Sequence, residues 1–118
     1  MKVTIQSKPH SQMRYDTLGD WYYEDHGDLI IDVAENAPHP ELIALHELVE
    51  AWLCDSRGIT QAQVDEWDFG IDEGRQVSFS EEPGDNINAP YRKEHRFAML
   101  IEHLMAHELG IQGYGRVE

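Results

Sequence analysis

The segment Ala44-Leu45-His46-Glu47-Leu48-Val49-Glu50-Ala51-Trp52 carries a histidine and a glutamate four residues apart, with another glutamate directly after the histidine. On a helix, residues i and i+4 stand one above the other on a single face. Their Cβ atoms are then about 6 Å apart, close enough for an imidazole and a carboxylate to grip one metal ion. Glu47 points roughly 100° further round. From there it could flank a metal-bound water and accept its proton. Two ligands hold a catalytic ion poorly, so a third is required, and the run Arg92-Lys93-Glu94-His95-Arg96-Phe97-Ala98 offers two candidates. Glu94 shares a helical side with Phe97 and Ile101 and should face the interior, where a carboxylate without a partner is costly. His95 lies nearer Met99 and Glu102 and is the better ligand type for zinc, iron or nickel. His95 is favoured and Glu94 stays open. The plain alternative is that His46 and Glu50 are only a helix-stabilising pair.

Other chemistry-bearing residues carry weaker patterns. His103 and His107 repeat the four-residue spacing on another face of the last helix, where the helix dipole alone favours histidine. Cys54 lies two turns beyond His46 and reads as a small core residue. Gly84-Asp85-Asn86 lacks the alternating ligands and closing glutamate of a calcium loop.

The elements that must position these residues follow from periodicity. Lys2 to Ser7 alternates as a strand, Met13, Tyr15 and Thr17 alternate again, and Trp21 to Tyr23 and Leu29 to Val33 flank the turn-forming Asp25-His26-Gly27-Asp28. The spacing then predicts a helix from Glu41 to Ser56, with Pro40 in its first turn and Gly58 beyond its end. Thr60 reads as the cap of a short helix holding Ala62 and Val64. Gly70 to Ala89 reads as loop, with Val77 and Phe79 as a candidate edge strand. The last helix runs from Pro90 to about Leu109, with Phe97, Leu100, Ile101, Leu104 and Met105 as its apolar stripe and Gly110 as its stop. The order predicts a small α+β domain over residues 1–118: an antiparallel sheet followed by three helices.

Composition narrows the function. Of 118 residues, 41% are hydrophobic and 27% charged, which is globular composition. One cysteine excludes an internal disulfide framework, no run is apolar enough to span a membrane, and the polar N-terminus does not read as a signal peptide. A cytoplasmic protein is the expectation. Twenty-three acidic residues against nine basic give a net charge of −14. That surface repels phosphate backbones and anionic lipid, so direct nucleic-acid or membrane binding is disfavoured. It suits cation binding, or imitation of DNA charge by a non-enzymatic inhibitor protein.

A β-type run, a short loop and a helix bearing His-Glu-x-x-Glu resemble a minimal zincin metallopeptidase, closest to the ImmA/IrrE type associated with phage and mobile elements. The likeness covers Leu29 to Trp52 and, less fully, Lys93 to Leu104 with its Phe97-Ala98 pair. The resemblance implies a zincin-like fold, one divalent ion with zinc foremost, and a peptide or protein substrate. It makes His46 the first ligand and Glu47 the general base. Glu50 stands where the second histidine of that family would be. Such a ligand adds negative charge to the site and shifts preference toward manganese or iron. The sequence-level expectation is a metal-dependent hydrolase, with the acidic interaction protein as the alternative.

Overall fold

The computed structural model describes residues 1–72 and 82–114. It is an α+β domain of three strands and three helices: β1 (Val3–Lys8), β2 (Gly19–Tyr23), β3 (Leu29–Ala34), α1 (Pro40–Ser56), α2 (Gln61–Asp72) and α3 (Arg92–Glu108). Short 3-10 turns occupy His10–Gln12 and Pro83–Asp85. The candidate edge strand at Val77 and Phe79 lies outside the described residues.

The sheet order is β1-β3-β2. Every residue of β3, Leu-Ile-Ile-Asp-Val-Ala, is buried. A nearly continuous apolar run is what a central strand with both faces covered requires. β2 and β3 form the expected antiparallel hairpin, with Trp21 opposite Ile31. The expectation of a wholly antiparallel sheet needs correction, because β1 joins β3 in parallel, with Ile5 opposite Ile31. Alternation fixes which face a residue occupies but not strand direction. Here the chain from Pro9 to Leu18 connects the end of β1 to the start of β2 on the far edge. Met13, Tyr15 and Thr17, which also alternate, form no strand. Arg14 anchors that connection instead, reaching Asp20 at 2.6 Å through Nε and Asp65 of α2 at 3.0 Å.

Leu29, Ile31 and Val33 project from one sheet face into a core with Trp21, Ala44, Ala51 and Cys54. The opposite face carries Asp32, which takes Lys8 Nζ at 2.8 Å and Gln6 Nε2 at 2.8 Å. Pro40 opens α1, as its missing N–H allows at that position. At the far end Gly58 adopts φ +72, and the Ile59 amide bonds back to Cys54 O at 2.9 Å, closing α1.

α3 contains the largest departure from periodicity. Its apolar stripe faces outward: Phe97 is 47% exposed, Leu100 53% and Leu104 56%. The face packed on α1 instead buries Glu94, His95, Ala98, Glu102 and Ala106. Two alanines let the helices approach, and the ionisable side chains between them find partners across the interface.

Candidate metal centre

Between α1 and α3, the predicted residues converge. His46 Nε2, His95 Nδ1 and Glu50 Oε2 form a triangle with sides of 3.2, 3.2 and 2.8 Å. A tetrahedral ion with ligands ~2.05 Å away would separate them by about 3.3 Å. The triangle is nearly that size already. All three side chains are buried. Glu50 Oε2 can accept from a proton-bearing nitrogen of each imidazole, and a divalent ion set among the three atoms would take the place of those protons.

The outer atoms of His46 and Glu50 are also held. His46 Nδ1 donates to Glu102 Oε1 at 2.7 Å, and Tyr114 donates its hydroxyl proton to Glu102 Oε2. Glu50 Oε1 accepts from Trp21 Nε1 at 2.9 Å. His95 Nε2 lies 3.1 Å from Glu82 Oε2 and 3.4 Å from Asp85 Oδ1, although neither is aligned for a hydrogen bond. An imidazole with one nitrogen turned inward and the other toward a carboxylate is the arrangement that fixes the tautomer of metal-binding histidines. His46, Glu82 and His95 also each bring one ligand atom into a group with no separation above 4.8 Å, a cluster that could hold a metal ion.

Glu94 does not join this group. Although buried, as its helical position predicts, it receives Arg57 Nη1 at 2.9 Å across the α1–α3 interface. The arginine meets the cost of burying that carboxylate, so no ion is needed there. Glu47 is buried beside the triangle with Oε2 3.8 Å from His46 Nε2. It makes no hydrogen bond to any described residue.

Electrostatics follow from this crowding of charge. Burial and the nearby Glu50 raise the Glu47 pKa well above the usual carboxylate range. Glu50 is held down to about 2, its burial outweighed by the hydrogen bonds from His46 and His95. Burial works against protonation of His46 and His95, but the surrounding carboxylates win and raise both.

Two glycines let the backbone close on the site. A Cβ on Gly84 would sit 2.5 Å from His95 Cγ, and one on Gly19 would sit 2.5 Å from Ile43 Cγ2 and 3.0 Å from Glu47 Cγ. Trp67 Nε1 of α2 donates to Pro83 O at 2.8 Å and so holds the Pro83–Asp85 turn over His95. A void of about 30 Å³ remains, lined by Tyr15, His46, Glu47, Glu50, Tyr91 and His95. That is room for about one water or ion.

Sequence reasoning missed Glu82, Asp85, Glu102 and Tyr114. Helical spacing does place Glu102 on the face of His95, two turns on, but gives no sign of its role behind His46. The others come from loop segments, where no period points. His103 and His107 are both exposed and take no part, though the His103 ring lies 5.7 Å from that of Tyr114. Cys54 is fully buried in the core, as its position suggests.

No family model, curated protein or solved structure matches the chain. Any functional reading therefore rests on the geometry and on the motif in the sequence.

Proposed function

We propose that the protein is a metal-dependent hydrolase of zincin-like form, with His46, His95 and Glu50 as ligands of one divalent ion. The supporting observation is the buried triangle of their donor atoms, already near the dimensions of a tetrahedral ligand face. Two imidazoles and one carboxylate form a catalytic zinc ligand set that leaves a position open. Iron is also served by this set, but Glu47, a carboxylate without a hydrogen bond among the described residues, favours hydrolysis. When bound, the ion supplies Lewis acidity and makes water a stronger acid.

The side chains account for the remaining steps. Glu102 keeps His46 Nδ1 protonated and Nε2 available. Glu82 and Asp85, close to the outer nitrogen of His95 without a hydrogen bond to it, favour a proton there by their charge. Glu47, with its proton affinity raised by burial, takes the proton of the attacking water and passes it to the leaving group. The group attacked is a carbonyl, and a peptide bond is the substrate class that the zincin-like resemblance favours.

Metal analysis of protein purified without chelator should find one divalent ion per chain, zinc foremost. His46→Ala should lose the ion. Glu47→Gln should keep it and lose hydrolysis by about 10²-fold or more. Wild-type protein without metal, or metal retained by His46→Ala, would overturn the assignment. The second reading, an acidic inhibitor that imitates DNA charge, draws on the net charge of −14. It requires binding to a basic protein that collapses with salt and ignores EDTA.

A further inference from the structure

Beside the candidate centre lies a cavity of about 320 Å³, open to His46 and Glu47 on one side. Leu18, Ile43 and Pro83 give it apolar walls, while Asp16, Glu47, Glu82 and Glu102 supply carboxylates. No lysine or arginine lines it among the described residues; of its two histidines, His10 already faces Asp16 Oδ1 at 3.0 Å. Acidic side chains are common on this protein, so their number alone says little. The separate observation is Glu47. It is nine-tenths buried, stands 3.8 Å from His46 Nε2, and lines this cavity without a hydrogen bond to a described residue. A buried carboxylate left open toward a cavity favours a ligand that brings positive charge to it.

A bound ion does not reverse this preference. Asp16, Glu50, Glu82, Asp85 and Glu102 surround the centre and cavity, and these five carboxylates alone, without Glu47, outnumber the two charges of a divalent cation. Low-dielectric walls concentrate that field inside the cleft. We propose that this cavity is a subsite for a cationic group on an apolar stem, an alkylammonium or guanidinium such as a lysyl or arginyl side chain. Leu18 and Ile43 would pack the stem, and Asp16 and Glu82 at the rim would receive the charged head. Calling the ligand a substrate rests on the hydrolase reading, but its binding does not.

The test uses amide NMR titrations of EDTA-treated protein, repeated with one equivalent of zinc. The probes are N-acetyl-lysine methylamide, its neutral isostere N-acetyl-norleucine methylamide, and n-butylamine. The lysine probe should bind at least about tenfold more tightly than the norleucine probe, with the largest shifts at Thr17, Leu18 and Gly19. Tighter binding of the lysine probe than of butylamine marks a peptide side chain, while equal binding marks a free alkylamine; both support the cationic subsite. The preference should fall toward unity in Asp16→Asn/Glu82→Gln and persist in Asp25→Asn, which removes an exposed charge at the hairpin turn. Equal binding of lysine and norleucine probes in both metal states would overturn the proposal. So would a preference untouched by the double substitution, because it would then report only the acidic surface. A protein that holds no metal but still prefers the lysine probe defeats the hydrolase reading and leaves the subsite standing.

Discussion

At the residue scale, the candidate centre depends on how each imidazole is held from behind. Glu102 touches His46 Nδ1, and Tyr114 holds the other oxygen of Glu102. Loss of an outer carboxylate typically weakens a metal site about 10–100-fold. Glu102→Gln should therefore lower zinc affinity by that factor in competition with a chromophoric chelator. Tyr114→Phe, one contact further out, should cost less, about two- to tenfold, with unchanged far-UV circular dichroism. A separate residue sets a pH dependence. Asp68 is buried, accepts hydrogen bonds from Tyr15 and Tyr91, and has its pKa pushed up to about 7 by burial and by the charge of Glu50. Its folded pKa lies above its ordinary 3.8, so the folded state holds the proton more tightly. That contribution to stability is complete below about pH 4 and is lost as pH rises through 7. Asp68→Asn mimics the protonated form. In EDTA-treated protein it should gain on the wild type between pH 5 and 8 by about 2–4 kcal/mol, read from urea midpoints. A constant difference across that range would refute the assignment. His46 and Glu50 could be paired from the sequence because helical spacing fixes the face on which they stand, whereas His95 was favoured over Glu94 by ligand chemistry, against the helical wheel. Asp68 was not legible, since its tyrosine partners lie 53 and 23 residues away.

At the element scale, the candidate site is an interface between α1 and α3 closed by the start of β2 and the Pro83–Asp85 turn. The sequence revealed α1 well: Pro40, the apolar period and Gly58 mark its course, and a strand-loop-helix order precedes His46. α3 was legible in extent but not in orientation. Its most apolar side suggested a core face, yet the helix buries Glu94, His95 and Glu102 and leaves Phe97, Leu100 and Leu104 exposed. Periodicity weighs hydrophobicity alone. It cannot register that Arg57, His46 and Tyr114 wait opposite those acidic groups. The parallel entry of β1 was equally hidden, because pairing direction depends on a connection rather than on the strand's own residues. Glycine at 84 shows how closely an element must approach. Its missing Cβ leaves room for the His95 ring, so Gly84→Ala forces the turn or the ring to move. Overpacking of this kind costs about 1–3 kcal/mol. The variant should stay folded with a lowered melting temperature, and zinc affinity should fall as His95 is displaced. Unaltered affinity would show that the turn does not position that ring.

At the scale of the whole molecule, charge and stability are coupled through the same place. A chain with net charge −14 packs many of its carboxylates around one buried site, and self-repulsion of that kind opposes folding. Partial relief comes from within: Arg14 bridges Asp20 and Asp65, Arg57 meets Glu94, and Lys8 meets Asp32. Around His46 and His95 no lysine or arginine plays that part among the described contacts, and a dication held there would supply part of the missing positive charge. Because the candidate ligands come from α1 and α3, the unfolded chain does not present them together, so the binding energy of an ion held there would become folding energy. At an ion concentration about 1,000 times its dissociation constant the gain is about 4 kcal/mol. For a domain of this length that corresponds to a rise of roughly 15 °C in melting temperature. The shift should disappear with EDTA and in His46→Ala. It should shrink as pH falls, because the carboxylates raise the proton affinity of both imidazoles and protons then compete with the ion. Calorimetric scans at pH 8 and pH 6, with and without zinc, measure both effects. A rise of the same size in His46→Ala would mean that the ion acts by screening the acidic surface instead of by occupying the centre.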